Sequence, residues 1–355
     1  DSSSVGSDLK SGMKIFSTYS SFATWKSDGS IVTWGDSNAG GDSSSVSSDL
    51  SSGVEEIYST AYAFAARKSD GSVVTWGDSN YGGDSSSVSS DLSSGVVEIF
   101  SSDASFAALK SDDSVVTWGN SDYGGDSSSV SSDLSSGVMD IFSSVSSFAA
   151  LKDDNSVVTW GDSLDGGDSS SVSSDLSSGV VEIFSSDGAF AALKSDKSVV
   201  TWGNSDYGGD SSSVSSDLSS DVTEIFSTWG AFAAVKIDGS VVTWGDEDGG
   251  GDSSSVSSDL SSDVVAIYST AEAFAALKSD NSVVTWGISS KGGDSSSVSS
   301  DLSSGVSWDI ASNFEAFAAV KIDGSVVTWG GTGVGGDSSS VSSDLTNVDS
   351  IIGTR

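Results

Sequence analysis

Read as apolar and polar positions, the chain is one pattern written eight times. A representative copy, residues 84–125, is "DSSSVSSDLSSGVVEIFSSDASFAALKSDDSVVTWGNSDYGG". "VVEIFSS" (96–102) is β-branched and aromatic and predicts a strand. "FAALKS" (106–111) and "SVVTWG" (114–119) predict two further strands joined as a hairpin. Side chains alternate along a strand, so Val74 and Trp76 share one face and Val73 and Thr75 the other. The pairs between the hairpin strands are Asp28-Gly29, Asp70-Gly71, Asp112-Asp113, Asp154-Asn155, Asp196-Lys197, Asp238-Gly239, Asp280-Asn281 and Asp323-Gly324. They predict a two-residue type I′ turn, in which Lys197 fits worst because both central residues need positive φ. In the connector, Val46, Leu50 and Val54 recur every four residues. That spacing fits a helix face or a strand face; we favour a helix of two turns, with Asp42 as N-cap and Gly53 as stop.

Repeats 1 to 8 are centred on Trp34, Trp76, Trp118, Trp160, Trp202, Trp244, Trp286 and Trp329. The spacing is 42 residues throughout, except for 43 before Trp329, where one residue is inserted near 308–316. A fixed period of this size predicts a solenoid, propeller or array. A Trp buries on the order of 150–250 Å², and one 42-residue copy is too small to cover both faces of its hairpin. Neighbouring copies must shelter each other. We expect a mainly β single repeat domain over 1–355: an eight-unit β-propeller or propeller-like toroid with a short helical connector per repeat. The alternative is an open, curved array.

The order of elements resembles repeats of the regulator-of-chromosome-condensation type, which build β-propellers. "VVEIFSS", "FAALKS", "SVVTWGD" and "GG" stand in the order of that family's strands and Gly-rich loop over nearly the whole chain. The "DG-x-VV-x-WG" part is the most specific. The family's His position is Phe here (Phe22, Phe64, Phe106, Phe148, Phe190, Phe232, Phe274 and Phe317), the repeat is short, and there are eight hairpins rather than the familiar seven. The resemblance implies a propeller-like toroid and an interaction role. It does not carry over nucleotide exchange or chromatin binding. The hairpin occurs eight times but the "DSSSV" segment nine times, the last from Asp337 to Ile352. Residues 337–355 are therefore expected to close a ring by pairing with the first repeat, or to cap an open array.

Composition narrows function. The chain has 51 acidic and 14 basic residues, a formal net charge of -37. Such a surface repels nucleic acid and anionic lipid. No stretch approaches the roughly 20 apolar residues that span a bilayer as a helix. With no Cys and no His, zinc, haem and iron–sulfur sites lose their usual ligands, and imidazole-based nucleophile systems are excluded. No unique carboxylate pair breaks the repeat, so we expect no enzyme. Calcium is the metal left open, at Asp78, Asn80 and Asp84, oxygen ligands at odd spacing in "WGDSNYGGD". The competing reading is a solvated acidic turn, since the first of these positions is Ile288 and Gly331 in two repeats. The lysine of each hairpin (Lys26, Lys68, Lys110, Lys152, Lys194, Lys236, Lys278 and Lys321) is read as either an anion-binding ring or a charge offsetting nearby aspartates.

Variation is concentrated in two loops. The loop before each "FAA" carries Tyr19, Tyr62, Asp103, Val145, Asp187, Trp229, Glu272 and Phe314. The loop after "TWG" carries Tyr81, Tyr123, Leu164, Tyr207 and Lys291. A fixed scaffold places binding residues at such positions; drift at unconstrained positions is the bland alternative. Exposed aromatics among acids suit a sugar, an aromatic ligand or a basic peptide. The function expected is a structural or interaction scaffold, extracellular or on a cell surface, with a protein or glycan partner. A lectin-like or calcium-dependent module and a self-associating subunit of a polymer are the alternatives.

Overall fold

The computed structural model describes residues 14–26 and 28–353. The first copy of the "DSSSV" segment lies outside the described residues. The chain divides into two compact units, Asp1–Ser178 and Gly179–Arg355. Each holds four three-stranded antiparallel sheets, every one in the order first, second, third strand. In repeat 3 these are Val96–Ser101, Ser105–Lys110 and Val115–Gly119. The chain is mainly β, as expected. A register shift between Val96 and Glu98 leaves Val97 out of the ladder and 46 % exposed, the signature of a β-bulge.

The hairpin is real but its turn is not type I′. Only the second residue of each expected pair has positive φ: Gly71 (+75°), Asp113 (62°), Asn155 (63°) and Lys197 (68°) among them. Gly71 N–H donates to Lys68 O (2.9 Å), and Lys68 N–H donates to Ser72 O (2.9 Å). The loop therefore has three residues, a tight turn followed by a left-handed residue that makes a G1-type bulge. The aspartate holds this form from its side chain. Asp70 Oδ1 accepts from Ser72 N (3.0 Å) and Ser72 Oγ (2.6 Å), which an outward-facing carboxylate in a two-residue turn would not do.

The connector is helical, but mostly in short 3-10 turns such as Ser86–Val88; before the repeat 8 sheet a 3-10 turn over Ser296–Val298 runs into an α-helical turn over Ser299–Leu302, which matches the expected length. Asp84 accepts from Ser86 N (2.9 Å), and the Ser89 and Ser93 hydroxyls donate back to Ser86 O and Ser90 O. Serine competing for backbone groups in this way explains why the helix mostly stops at one turn. The connector instead covers a sheet edge: Val73 N–H donates to Leu92 O (3.0 Å). Leu92 is buried.

Consecutive sheets within each unit pack through the tryptophans. Ala63 and Ala65 of repeat 2 form one cluster with Leu92, Ile99, Phe106, Ala108 and Trp118 of repeat 3. Trp118 stacks on Phe106 of its own sheet, centroids 5.2 Å apart. Its Nε1 reaches back to Gly82 O of the preceding repeat at 3.0 Å. Trp76 and Trp160 make the same bond to Gly40 and Gly124 in the N-terminal unit. Trp244, Trp286 and Trp329 make it to Gly208, Gly250 and Gly292 in the C-terminal unit. Gly82 sits at φ +92°, and a Cβ there would stand 2.6 Å from the Phe106 ring. The alternation holds as expected: Val74 and Trp76 belong to the cluster shared with repeat 1, Val73 to that shared with repeat 3.

After repeat 8, Val348 N–H donates to Gly324 O (3.0 Å), repeating the bond of Val96 to Gly71 O. Ile351 N–H donates to Asp309 Oδ2 (3.1 Å). Residues 337–353 thus lie along the last sheet as a connector does, with Leu345 half-buried.

Candidate functional site

The two variable loops of each repeat are fastened side by side. A hydroxyl at the start of the first loop donates to a carbonyl of the second: Thr60 to Tyr81 O (2.8 Å), Ser102 to Tyr123 O (2.9 Å) and Ser144 to Asp165 O (3.2 Å). In the C-terminal unit the pairs are Ser186 to Tyr207 O, Thr228 to Gly249 O and Thr270 to Lys291 O. First loops of consecutive repeats are also joined by backbone bonds. Tyr19 N–H donates to Ala61 O, Ala61 to Asp103 O and Asp103 to Val145 O. In the C-terminal unit Asp187 donates to Trp229 O, Trp229 to Ala271 O and Ala271 to Phe314 O.

These bonds resolve the variable residues into two rows. Tyr19, Asp103 and Val145 stand in the inner row of the N-terminal unit, and Asp187, Trp229 and Phe314 in that of the C-terminal unit. Tyr62 and Glu272 stand one residue further on, in an outer row. The inner-row residue beside Tyr62 is Ala61 and that beside Glu272 is Ala271, both buried. Larger neighbours meet over them. Tyr19 OH lies 3.5 Å from Asp103 Oδ2, and the Trp229 and Phe314 rings are 5.7 Å apart. Burial pushes the Asp103 carboxyl above its ordinary range, and the Tyr19 hydroxyl pulls it partly back.

Outer-row residues touch the second loop at a fixed separation of nineteen residues. Tyr62 meets Tyr81 edge-on, centroids 4.7 Å apart, and Tyr19 packs on Tyr62 at 5.6 Å. Ser146 Oγ donates to Asp165 Oδ2 (2.7 Å). Lys291 Nζ lies 4.0 Å from Glu272 and 2.5 Å from Glu315 of the next repeat. Tyr123 is half-buried opposite the small Ala104, while Tyr207 is 37 % exposed. In repeat 6 both positions are glycine, Gly230 and Gly249; Gly230 lines an open cleft of about 680 Å³ with Trp229 and Asp246 of its own repeat, Asp206 and Tyr207 of repeat 5 and Glu272 of repeat 7, while Gly249 is buried. Sequence reading singled out neither glycine nor Glu315. Comparing residues nineteen apart, repeat by repeat, would have found the glycines; Glu315 meets Lys291 across twenty-four residues, which that spacing does not reveal.

The calcium candidates are engaged with their own turns. Asp78 Oδ1 accepts from Asn80 N (2.8 Å) and Nδ2 (3.2 Å), and Asp84 from Ser86 N (2.9 Å). Among the described residues no group of three or more His, Cys, Asp or Glu assembles as a metal site. The hairpin lysines reach backbone carbonyls: Lys68 Nζ to Asp49 O (2.8 Å), Lys110 to Asp91 O (2.6 Å) and Lys236 to Asp217 O (2.6 Å). They fasten the connector to the hairpin, which is closer to the structural reading than to an anion ring.

No protein-family model and no curated protein sequence matches the chain. Solved structures similar to it include Prp20p of Saccharomyces cerevisiae, 15 % identical over 67 % of this chain and 73 % of that one, TM-score 0.40. The ectodomain of the receptor kinase CR4 of Physcomitrella patens is 12 % identical over 78 % and 72 %, TM-score 0.37. Human WBSCR16 is 15 % identical over 91 % and 78 %, TM-score 0.36. Prp20 is yeast RCC1, the repeat type that the residues of this chain resemble.

Proposed function

We propose that the chain is a non-catalytic interaction scaffold, structural or adhesive in role, that works outside the cell or at its surface and takes a protein partner on the rim formed by its two variable loops. One observation carries this reading. The loops that differ between repeats are bonded together on one edge, and their side chains meet in pairs that change together, as Tyr62 with Tyr81 and Glu272 with Lys291. Exposed aromatics support it: Tyr19 is 72 %, Phe314 51 % and Trp229 46 % exposed. The charge of -37 supports a basic partner over nucleic acid and favours solubility in salty surroundings. The site of action rests on composition alone.

The test is a variant with Tyr19, Tyr62, Trp229 and Phe314 all changed to Ser, compared with the parent on peptide and glycan arrays with and without calcium. Binding to peptides should fall with the thermal melt preserved. Peptide binding that survives all four changes refutes the rim, and capture by glycans alone, or by calcium-dependent glycan contacts, replaces the protein partner with a lectin-like one.

A further inference from the structure

The cleft between repeats 5, 6 and 7 opens where Gly230, one of its lining residues, presents no side chain. At this position and the one nineteen residues on, repeat 2 has Tyr62 and Tyr81, whose rings fill the space at 4.7 Å. Repeat 4 closes it with the Ser146–Asp165 hydrogen bond, and repeat 7 sets Glu272 toward Lys291. Repeat 6 has Gly230 and Gly249. Neither adopts a left-handed φ, so the backbone does not demand glycine at either place. A Cβ at Gly249 would approach Asp246 Oδ2 at 3.0 Å, and one at Gly230 would approach Asp246 Cβ at 3.0 Å. The space is kept open beside Trp229, which is 46 % exposed and braced by Phe314 at 5.7 Å.

We infer that this cleft seats an arginine side chain of a basic peptide. The inference rests on the rim reading above and names its ligand. The walls include Asp206, Tyr207, Trp229, Asp246, Glu247 and Glu272, and neither Lys nor Arg lines them. An exposed indole and surrounding carboxylates ask for a ligand that is flat and cationic. Guanidinium satisfies both, stacking on the ring and donating in its plane to carboxylates. An ammonium supplies charge without a plane. A neutral sugar would stack but leave the carboxylates uncompensated. A bare divalent ion needs several oxygens converging at short distance, and no such convergence is found among the described residues.

The experiment is fluorescence anisotropy on the full chain, with a fluorescein-labelled nonapeptide bearing three arginines spaced by Gly-Ser, and a second peptide with lysine in their place. Gly230→Tyr refills the cleft as Tyr62 does in repeat 2, and Trp229→Ala removes the stacking face. Each should weaken the arginine peptide at least tenfold with the melting temperature unchanged, and the lysine peptide should bind several-fold less tightly than the arginine one. The inference is overturned if the arginine peptide fails to bind, or if both variants stay within twofold of the parent. A Tyr62→Ala, Tyr81→Ala variant separates the two levels. Loss there without loss in Gly230→Tyr keeps the rim and discards this seat. No loss in any rim variant discards both.

Discussion

The joint between repeats is most sharply tested by two glycine substitutions that share a backbone conformation and differ in what a methyl group meets. Gly124 (φ +91°) and Gly95 (φ +77°) are both left-handed. Placing Ala at either should cost about 1–2 kcal/mol from the left-handed region alone. At Gly95 little is added, because a Cβ there finds Ser111 Oγ at 3.4 Å and Lys110 Cε at 3.6 Å. The chain itself tolerates side chains at this position, with Asp221 (φ 68°) and Asp263 (φ 66°) in later repeats. At Gly124 the new methyl would stand 2.6 Å from Phe148 Cδ2 and 2.8 Å from Cε2, well inside the roughly 3.5–4.0 Å of a carbon–carbon contact. Phe148 is fully buried and stacked on Trp160 at 5.2 Å. Moving the ring disturbs that stack and the bond from Trp160 Nε1 to Gly124 O (3.0 Å). Overpacking of this kind costs about 1–3 kcal/mol and a weakened hydrogen bond about 0.5–1.5 kcal/mol. Gly124→Ala should therefore exceed Gly95→Ala by about 2–4 kcal/mol. Urea titration followed by tryptophan emission measures both. Equal midpoints at equal slopes would refute the idea that glycine is needed at the joint for close approach.

Three further outcomes follow from the same geometry. Lys197→Gly should stabilise the chain by about 1 kcal/mol in urea, because Lys197 holds φ 68° where a left-handed side chain is strained; a neutral or destabilising result contradicts the turn assignment. A double-mutant cycle of Tyr62→Ala and Tyr81→Ala should give a coupling of about 0.5–1 kcal/mol, and a coupling near zero would mean that their edge-on contact at 4.7 Å is not maintained in solution. Asp70 and its seven counterparts in the hairpin turns have carboxyls held below their ordinary range by the serine two residues on. A folded value below the unfolded one, about 3.9, gives stability that is present above that pH and lost as pH falls through it. Asp103, Glu98 and Glu224, raised chiefly by burial, act in the opposite sense and are fewer. Changing all eight aspartates to Asn keeps an acceptor for the serine and removes their titration, so the decline of the melts below about pH 4 should shrink but not vanish, because Asp42, Asp84 and their counterparts in the connectors are lowered in the same way; an unchanged acid limb would rule the turns out as a source.

Much of this architecture is legible in the sequence because period and alternation survive folding unaltered. The hairpin strands, the shared face of Val74 and Trp76, and the need for neighbours to cover each Trp follow from spacing alone. The turn type does not. An Asp followed by Gly, Asn, Asp or Lys suits a two-residue turn as a string, and only the backbone bonds from Lys68 N–H to Ser72 O and from Gly71 N–H to Lys68 O show that Ser69 belongs to the loop. The connector misleads for a related reason. Val46, Leu50 and Val54 fall on one helical face, yet two serines of the connector donate their hydroxyls locally, Ser47 to Ser44 O and Ser51 to Ser48 O. The rim is half legible. Variation marks the loops, but the contact of residues nineteen apart is set by a fold that brings two loops to one edge.

The division between fixed and variable positions has a mechanical cause. At a joint, Gly82, Phe106 and Trp118 come from two repeats and share one space. A change in any of them must be answered across the joint, and the answering residue faces a third repeat through the other side of its sheet. The constraint therefore runs along each compact unit, and all eight repeats use the same Gly, Phe and Trp. An outer-row pair is mostly answerable to itself. Ser146 with Asp165 settles its fit within one repeat. Two outer-row contacts also reach a neighbouring repeat: Tyr62 packs on Tyr19 of repeat 1, and Lys291 holds Glu315 of repeat 8 as well as facing Glu272. The inserted residue of repeat 8 lies elsewhere, in the bulge of its first strand between Val306 and Ile310, and leaves the first loop at its usual length. The rim thus keeps one loop length while its side chains are exchanged, some meeting within a repeat and some between neighbours, which is the property a recognition surface requires.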